Sequence, residues 1–160
     1  MTFLPFENFV IESSLNKEEI ISALTMNIES EKTFRFMKRS DTKEFEGSLK
    51  GNEFEIRRII SYRNSFLPVI NGEIESYGNN SRITIRMRLH IFTIIFISIW
   101  ISIVGLIFIG LVAAGNFSTE TLGAGAMGLF AYGLTMGGYL FESSRAKEIL
   151  LEITKGRIVK

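Results

Sequence analysis

Two apolar stretches decide the architecture of this chain: residues 91–114 read IFTIIFISIWISIVGLIFIGLVAA, and residues 122–141 read LGAGAMGLFAYGLTMGGYLF. Neither stretch contains a charged side chain. As α-helices they would be about 36 and 30 Å long, and the hydrocarbon core of a bilayer is about 30 Å thick. The sequence therefore predicts an integral membrane protein in which residues 90–141 form a transmembrane hairpin surrounded by the lipid bilayer.

The charges around the two stretches predict the orientation of this hairpin. Lys and Arg are enriched on the cytoplasmic side of membrane spans. The connector contains Glu120 and no basic residue, whereas basic residues precede the first stretch and follow the second. Together with the single histidine, this flanking set is Arg82, Arg86, Arg88, His90, Arg145, Lys147, Lys155, Arg157 and Lys160. We therefore expect two spans with both termini in the cytoplasm.

Composition excludes several classes of function. Residues 1–89 balance thirteen Lys and Arg against thirteen Asp and Glu, so they lack the basic excess of a nucleic-acid-binding domain. The chain contains no cysteine, which rules out disulfides, thiolate metal sites and cysteine nucleophiles. Because His90 is the only histidine, no set of metal ligands is evident either. We expect no nucleic-acid partner, no metal and no cofactor.

The part before the spans carries alternating strand and helix signals. Residues 9–13 are predicted to form a strand. Asn16 and Glu19 form a capping box ahead of a helix over residues 17–28, whose apolar side chains recur at helical spacing. A further strand is expected at residues 33–37.

Two hairpins follow. The first joins residues 43–49 and 53–60 across the turn 50–52, with Phe45 expected opposite Ile56. The second joins residues 70–76 and 81–89. Its strictly alternating pattern is typical of a strand with one buried face, and its expected pairs are Ile74 with Ile83, Ile70 with Met87, and Glu75 with Arg82.

These elements predict an α+β fold with three parts. A small, mostly antiparallel sheet of four to six strands forms a cytosolic domain over residues 1–89. The hairpin at 90–141 follows the last strand without a linker. Residues 142–160 carry an apolar helical stripe and are expected to form an amphipathic helix that packs back on the domain, so that two helices cover the sheet.

The loop at residues 61–68 is the polar cluster with the most site-like character. Arg63, Asn64 and Ser65, with Arg57 upstream, combine a guanidinium, an amide and a hydroxyl that could bind a phosphate or a carboxylate. The same residues also fit a structural crossover in which side chains bind local backbone and Pro68 marks an edge strand. Beside the membrane, Arg82, Arg86, Arg88 and His90 are candidates for contact with lipid headgroups.

The glycines of the second apolar stretch match the dinucleotide fingerprint at residues 123–128, but no strand precedes them as that site requires. Close helix packing explains them better, with either the first span or a second copy of the chain as the neighbour. The glycines concerned are Gly125, Gly128, Gly133 and Gly137.

Three classes of function remain open. The first is a non-enzymatic binding or accessory module that presents its domain at the cytoplasmic face to a protein partner or a lipid headgroup. The second is a glycine-packed homo-oligomer or small pore. The third is a membrane enzyme on a lipid substrate, for which Arg63 is the residue to test. No catalytic motif occurs in the sequence, so we expect the first class.

Overall fold

The computed structural model describes residues 4–29 and 43–159, so the strand predicted at 33–37 lies outside the described residues. The capping box at Asn16 and Glu19 is present. In chain order the elements are β1 (Phe6–Ser13), α1 (Lys17–Asn27), β2 (Ile28–Glu29), β3 (Phe45–Lys50), β4 (Glu53–Arg58), β5 (Pro68–Tyr77), β6 (Asn80–Leu89), α2 (Ile91–Ala113), α3 (Thr119–Thr154) and β7 (Gly156–Ile158).

The strands form one open sheet in the order β2-β3-β4-β5-β6-β1-β7. The β2–β3 pair is parallel, and the other described pairs are antiparallel. The predicted α+β class with a mostly antiparallel sheet is therefore confirmed. The described sheet has seven strands, so the predicted number of four to six is wrong. The edge strands β2 and β7 escaped the prediction because they have only two and three residues. Segments this short cannot show an alternating pattern in the sequence.

The β5–β6 hairpin has the predicted register. Ile74 pairs with Ile83, and Ile70 pairs with Met87. All four side chains are buried, because the alternation of the two strands places their apolar residues on the face that the helices cover. This hairpin forms the centre of the core.

The β3–β4 hairpin departs from the predicted register. Phe45 pairs with Arg58 and not with Ile56, and the strands close on a two-residue turn with Lys50 opposite Glu53. The observed register pairs Glu46 with Arg57, and Arg57 Nε lies 3.0 Å from Glu46 Oε1 in an ion pair. It also places Arg58 on the core face of the sheet, in line with the buried Phe45.

The second half of α3 covers the sheet and lies along β1 and β6. At one end, Tyr139 donates a hydrogen bond to the carbonyl of Met87 at 3.1 Å. Fifteen residues later along the helix, the carbonyl of Thr154 accepts a hydrogen bond from the Ser13 hydroxyl. Ser13 is the residue of β1 that pairs with Ser81 of β6. The helix rises about 22 Å between these contacts, and the strand advances about 20 Å from Met87 to Ser81. The helix and strand axes are therefore nearly parallel, and α1 completes the covering layer with Ile20 and Leu24.

Helix α2 begins directly after β6 and packs antiparallel against the first half of α3. Phe108 lies beside Gly125, and Val104 lies beside Gly128. Among the described residues, α2 is the one helix long and apolar enough to cross a membrane by length and composition. The predicted second stretch lies within α3 and is less apolar, because its six glycines and two tyrosines add little hydrophobicity.

Gly47 provides a test of the corrected register. Its φ is +148°, and a Cβ at this position would lie 2.8 Å from Ile56 Cα on the paired strand. We expect Gly47→Ala to lower the free energy of unfolding by about 2 kcal/mol, because backbone atoms cannot move aside. Thermal unfolding in detergent, followed by near-ultraviolet circular dichroism, measures the change.

Gly78→Asn is the matched control for this substitution. Gly78 also has a positive φ, +64°, but a Cβ there would meet nothing within 4 Å. Asparagine tolerates this conformation, so we expect a change within about 0.5 kcal/mol. Equal effects of the two substitutions would contradict the crowding of Gly47.

Candidate functional site

A buried carboxylate lies where α3 reaches the sheet. Glu142 has no exposed surface. Its Oε1 atom accepts hydrogen bonds from the Tyr62 hydroxyl and, at 2.9 Å, from the Asn64 amide. Its Oε2 atom accepts from the guanidinium of Arg58. Both oxygens are thus bound by groups from β4 and the loop that follows it.

The contact with Glu142 also changes the acidity of Tyr62. The pKa of Tyr62 is raised above its ordinary value, first because its hydroxyl donates to the carboxylate and then through partial burial. A tyrosine hydroxyl is protonated at neutral pH, and the raised pKa extends this donor state to more alkaline solution. Tyr62 therefore acts as a fixed donor to Glu142 although 47% of its surface is exposed.

The loop after β4 is attached to both long helices. The carbonyl of Ser65 accepts a hydrogen bond from Thr93 of α2 at 3.0 Å. The ring of Phe66 lies against Gly138 of α3, where a Cβ would come within 2.7 Å of the ring. The loop therefore bridges the start of α2, the middle of α3 and the sheet.

The predicted ligand set does not form one cluster. Asn64 is directed towards Glu142, whereas Arg57 lies on the opposite face of the sheet beside Glu46. Arg63 and Ser65 are exposed. Glu142 was not among the predicted site residues. The sequence feature that could have indicated it is the position of Glu142 on the helical stripe that the sheet buries, which also contains Tyr139, Ser143, Ala146 and Leu150.

A second ionic contact holds the same turn of α3 on the sheet. Glu7 of β1 accepts from Ser143 at 3.4 Å and forms an ion pair with Lys147. The ammonium group of Lys147 also lies 5.4 Å from the ring centre of Phe9. Two carboxylates, Glu142 on the helix and Glu7 on the sheet, therefore lie close to where α3 meets β1 and β6.

The outer face of the sheet, which points away from α1 and α3, carries polar side chains in rows across the strands. The first row, at the end where β6 enters α2, contains Phe6, Arg88 and Val69. The second row contains Asn8, Arg86, Asn71 and Glu55, and the third contains Val10, Thr84, Glu73 and Glu53. The fourth contains Glu12, Arg82 and Glu75.

The four predicted headgroup residues differ in their surroundings. Arg82 binds Glu12 at 2.7 Å and lies 4.3 Å above the ring centre of Tyr77. Arg86 and Arg88 are exposed and form no ion pair with any other described residue. His90 caps α2 by accepting from the amide of Phe92 at 3.4 Å, and its ring stacks on Phe92.

A groove of about 480 Å³ crosses the second and third rows. Its lining is polar and carries both signs of charge, with Lys50 and Arg86 near three glutamates, Glu53, Glu55 and Glu73. Glu53 and Glu73 are paired directly across β4 and β5, a destabilising arrangement of like charges. The outer face of the described sheet is thus a largely polar surface that α1 and α3 leave uncovered.

The predicted packing glycines fall into two pairs. Gly125 and Gly128 lie against α2, whereas a Cβ at Gly133 or Gly137 would meet nothing within 4 Å. The first pair therefore contacts the neighbouring helix of the same chain. Contact of the second pair with another copy stays a prediction.

The described residues contain no group of three or more His, Cys, Asp or Glu side chains that could hold a metal ion. Comparisons of the chain with protein families, curated proteins and solved structures found no match.

Glu142→Ala tests the role of the buried carboxylate. The substitution leaves the guanidinium of Arg58, whose side chain is 11% exposed, without its charge partner. We expect the free energy of unfolding to fall by about 3 kcal/mol. Amide hydrogen exchange in the loop at residues 61–67 should also become faster, because two of its anchoring hydrogen bonds are lost.

Glu148→Ala is the control, since Glu148 lies on the exposed side of the same helix. We expect its effect to stay within about 0.5 kcal/mol. A Glu142→Ala variant as stable as the wild type, with unchanged exchange in the loop, would contradict the anchoring role.

Proposed function

We propose that this chain is an integral membrane protein whose α2 and residues 122–141 of α3 cross the bilayer as a hairpin. In this proposal it is a non-enzymatic module that holds its α+β domain rigidly at the cytoplasmic face and offers the outer sheet face to a protein partner. The observation that carries the proposal is the exposure of α2. A helix of 23 residues without a charge has one buried residue, Val104, and follows β6 with only His90 between them.

The apolar surface of the two helices supports the membrane location. Large apolar side chains are exposed around α2 and along the first half of α3, and water-soluble monomers rarely expose a patch of that extent. A bilayer would cover this surface, and both helices satisfy their backbone hydrogen bonds internally, as a membrane span must. The absence of charges from both apolar stretches agrees with this location.

The rigid connection between hairpin and domain supports the presenting role. Helix α3 continues without a break from residue 119 to residue 154, so the apolar and sheet-covering parts are one rod. The loop after β4 ties this rod to α2 and to the sheet through Asn64, Ser65 and Phe66. A domain held by these contacts has a fixed orientation relative to the bilayer. Such a domain is better suited to binding a partner in one orientation than a domain attached by a flexible linker.

Single cysteines test the two-span topology, because the natural chain contains none. Thr119→Cys lies in the first turn of α3, and Glu148→Cys lies on its exposed domain side. We expect a membrane-impermeant maleimide to label Thr119→Cys in intact cells. Glu148→Cys should be labelled only after the cells are permeabilised.

The cysteine-free wild type measures background labelling in the same experiment. Labelling of Glu148→Cys in intact cells would reverse the proposed orientation. Labelling of both positions in intact cells, or of neither before permeabilisation, would contradict a hairpin that crosses the membrane.

A second candidate function is a homo-oligomer, favoured by the open glycines on α3. Gly133 and Gly137 are spaced as G-x-x-x-G and leave room for a second backbone. Packing of two such surfaces would place the α3 helices of two copies in contact. The domains would then be presented in pairs or in larger sets.

Leucine substitutions test the oligomer. We expect Gly133→Leu with Gly137→Leu to reduce the mass of the detergent-solubilised particle, because the added side chains block close approach of the helices. Size-exclusion chromatography with light scattering measures this mass. Gly110→Leu, at another open glycine on α2, is the control, and a wild-type particle that is already monomeric would end this candidate.

A further inference from the structure

We propose that Arg86 and Arg88, together with Phe6, form a binding site for the headgroup of an anionic phospholipid. This inference rests on the proposed function, because it requires the hairpin to lie in the bilayer. It assigns a ligand to Arg88 and to Arg86, which also lies at the edge of the groove on the outer face. The proposed site does not include Arg82, although Arg82 lies on the same strand and the same face of the sheet.

The nearly parallel course of α3 and β6 determines how far each row lies from the membrane. If the first half of α3 crosses the bilayer, its second half continues away from it, and the strands beside it stand upright. Arg88 then lies next to the membrane surface, and Arg86 lies about 7 Å farther out along the strand. Arg82 is about 20 Å beyond Arg88.

This spacing matters because the attraction of an anionic surface decays over a Debye length of about 8 Å at physiological ionic strength. Arg88 and Arg86 lie within or close to that distance, and Arg82 lies well outside it. The carboxylates Glu53 and Glu73 belong to the third row, about 14 Å from the first. The outer face therefore turns Arg88 and Arg86 towards the lipid and keeps Glu53 and Glu73 farther away, while Glu55, in the same row as Arg86, accepts a hydrogen bond from Asn71 at 2.7 Å.

The surroundings of the two arginines suit a phosphate group at an interface. Both guanidinium groups are exposed without a carboxylate partner among the described residues, so neither must break an ion pair to bind. The exposed Asn8 is paired with Arg86 and adds an amide donor to the second row. A guanidinium can hold a phosphate through two parallel hydrogen bonds.

Apolar side chains at the same end complete the site. Phe6 is paired with Arg88 and is 47% exposed, and Leu4, two residues earlier, is 65% exposed. Apolar side chains in water at this position are unfavourable. In contact with the acyl region beneath a headgroup they would be covered, while the arginines above them reach the phosphate.

Lipid retention measures the site directly. The full chain is placed in nanodiscs of equal parts phosphatidylcholine and phosphatidylglycerol, and native mass spectrometry counts the lipids that remain bound. We expect the wild type to retain phosphatidylglycerol preferentially. Replacing Arg86 and Arg88 together by Gln should lower the ratio of phosphatidylglycerol to phosphatidylcholine by about tenfold, because each basic side chain at the surface contributes to the attraction.

Two variants control for charge and for folding. Arg82→Gln removes the same charge from the same strand and should leave the ratio within about twofold, because at this distance the attraction is screened. Replacing Arg86 and Arg88 by Lys restores the charge and should retain the preference.

Raising the salt concentration about tenfold should weaken the preference of the wild type itself, which tests the site without any substitution.

Three results would overturn the site: no preference in the wild type, a preference that survives in the double Gln variant, or an equal loss in Arg82→Gln. Failure of the proposed function is seen separately and earlier. A chain that is not embedded would be released from vesicles by an alkaline wash before any lipid is counted.

Discussion

The buried ion pair between Glu142 and Arg58 is the interaction on which the arrangement of this molecule depends. A carboxylate without contact to water is tolerated only when its oxygens are bound, and here the donors come from β4 and the following loop. The contact therefore fixes the rotation of α3 about its own axis. That rotation turns Gly125 and Gly128 towards α2 and leaves the apolar residues of the first half of α3 facing outwards.

The same rotation determines what the sheet can offer to its surroundings. With α1 and α3 covering one face, the other carries alternate residues of every strand and is largely polar. Positive and negative charges are separated on it. Arg86 and Arg88, which form no ion pair with another described residue, lie near α2, and Glu53 and Glu73, which face each other across β4 and β5, lie farther away. A surface with two electrically different ends can bind two different partners, one at each end, and Arg86 lies where the two ends meet.

Much of the domain could be predicted from the sequence, and the failures have physical causes. The register of β5 and β6 is fixed by the short turn between Tyr77 and Asn80, and it buries Ile70, Ile74, Ile83 and Met87 on one face. In β3 and β4 a shift of two residues keeps the same faces buried, so the hydrophobic pattern alone could not choose between pairing Phe45 with Ile56 and pairing it with Arg58. The ion pair of Arg57 with Glu46 favours the observed register.

The site was harder to predict than the fold. In the loop at 61–68, Tyr62 and Asn64 donate to Glu142, which lies about eighty residues later in the chain. No local pattern reports a contact over that separation. The apolar character of α2 is a property of one continuous segment and was therefore visible, whereas the glycines of α3 reduce the same signal in the second stretch.

The position of β1 between β6 and β7 has a consequence for biosynthesis. Ile11 and Glu12 pair on one side with β6 and on the other with residues 157–158, which the ribosome makes roughly 145 residues later. The hydrophobic core also lacks Tyr139, Ala146 and Leu150 until α3 has been translated. The nascent domain therefore stays incomplete while α2 and the first half of α3 are synthesised, and its sheet and core can close only after them.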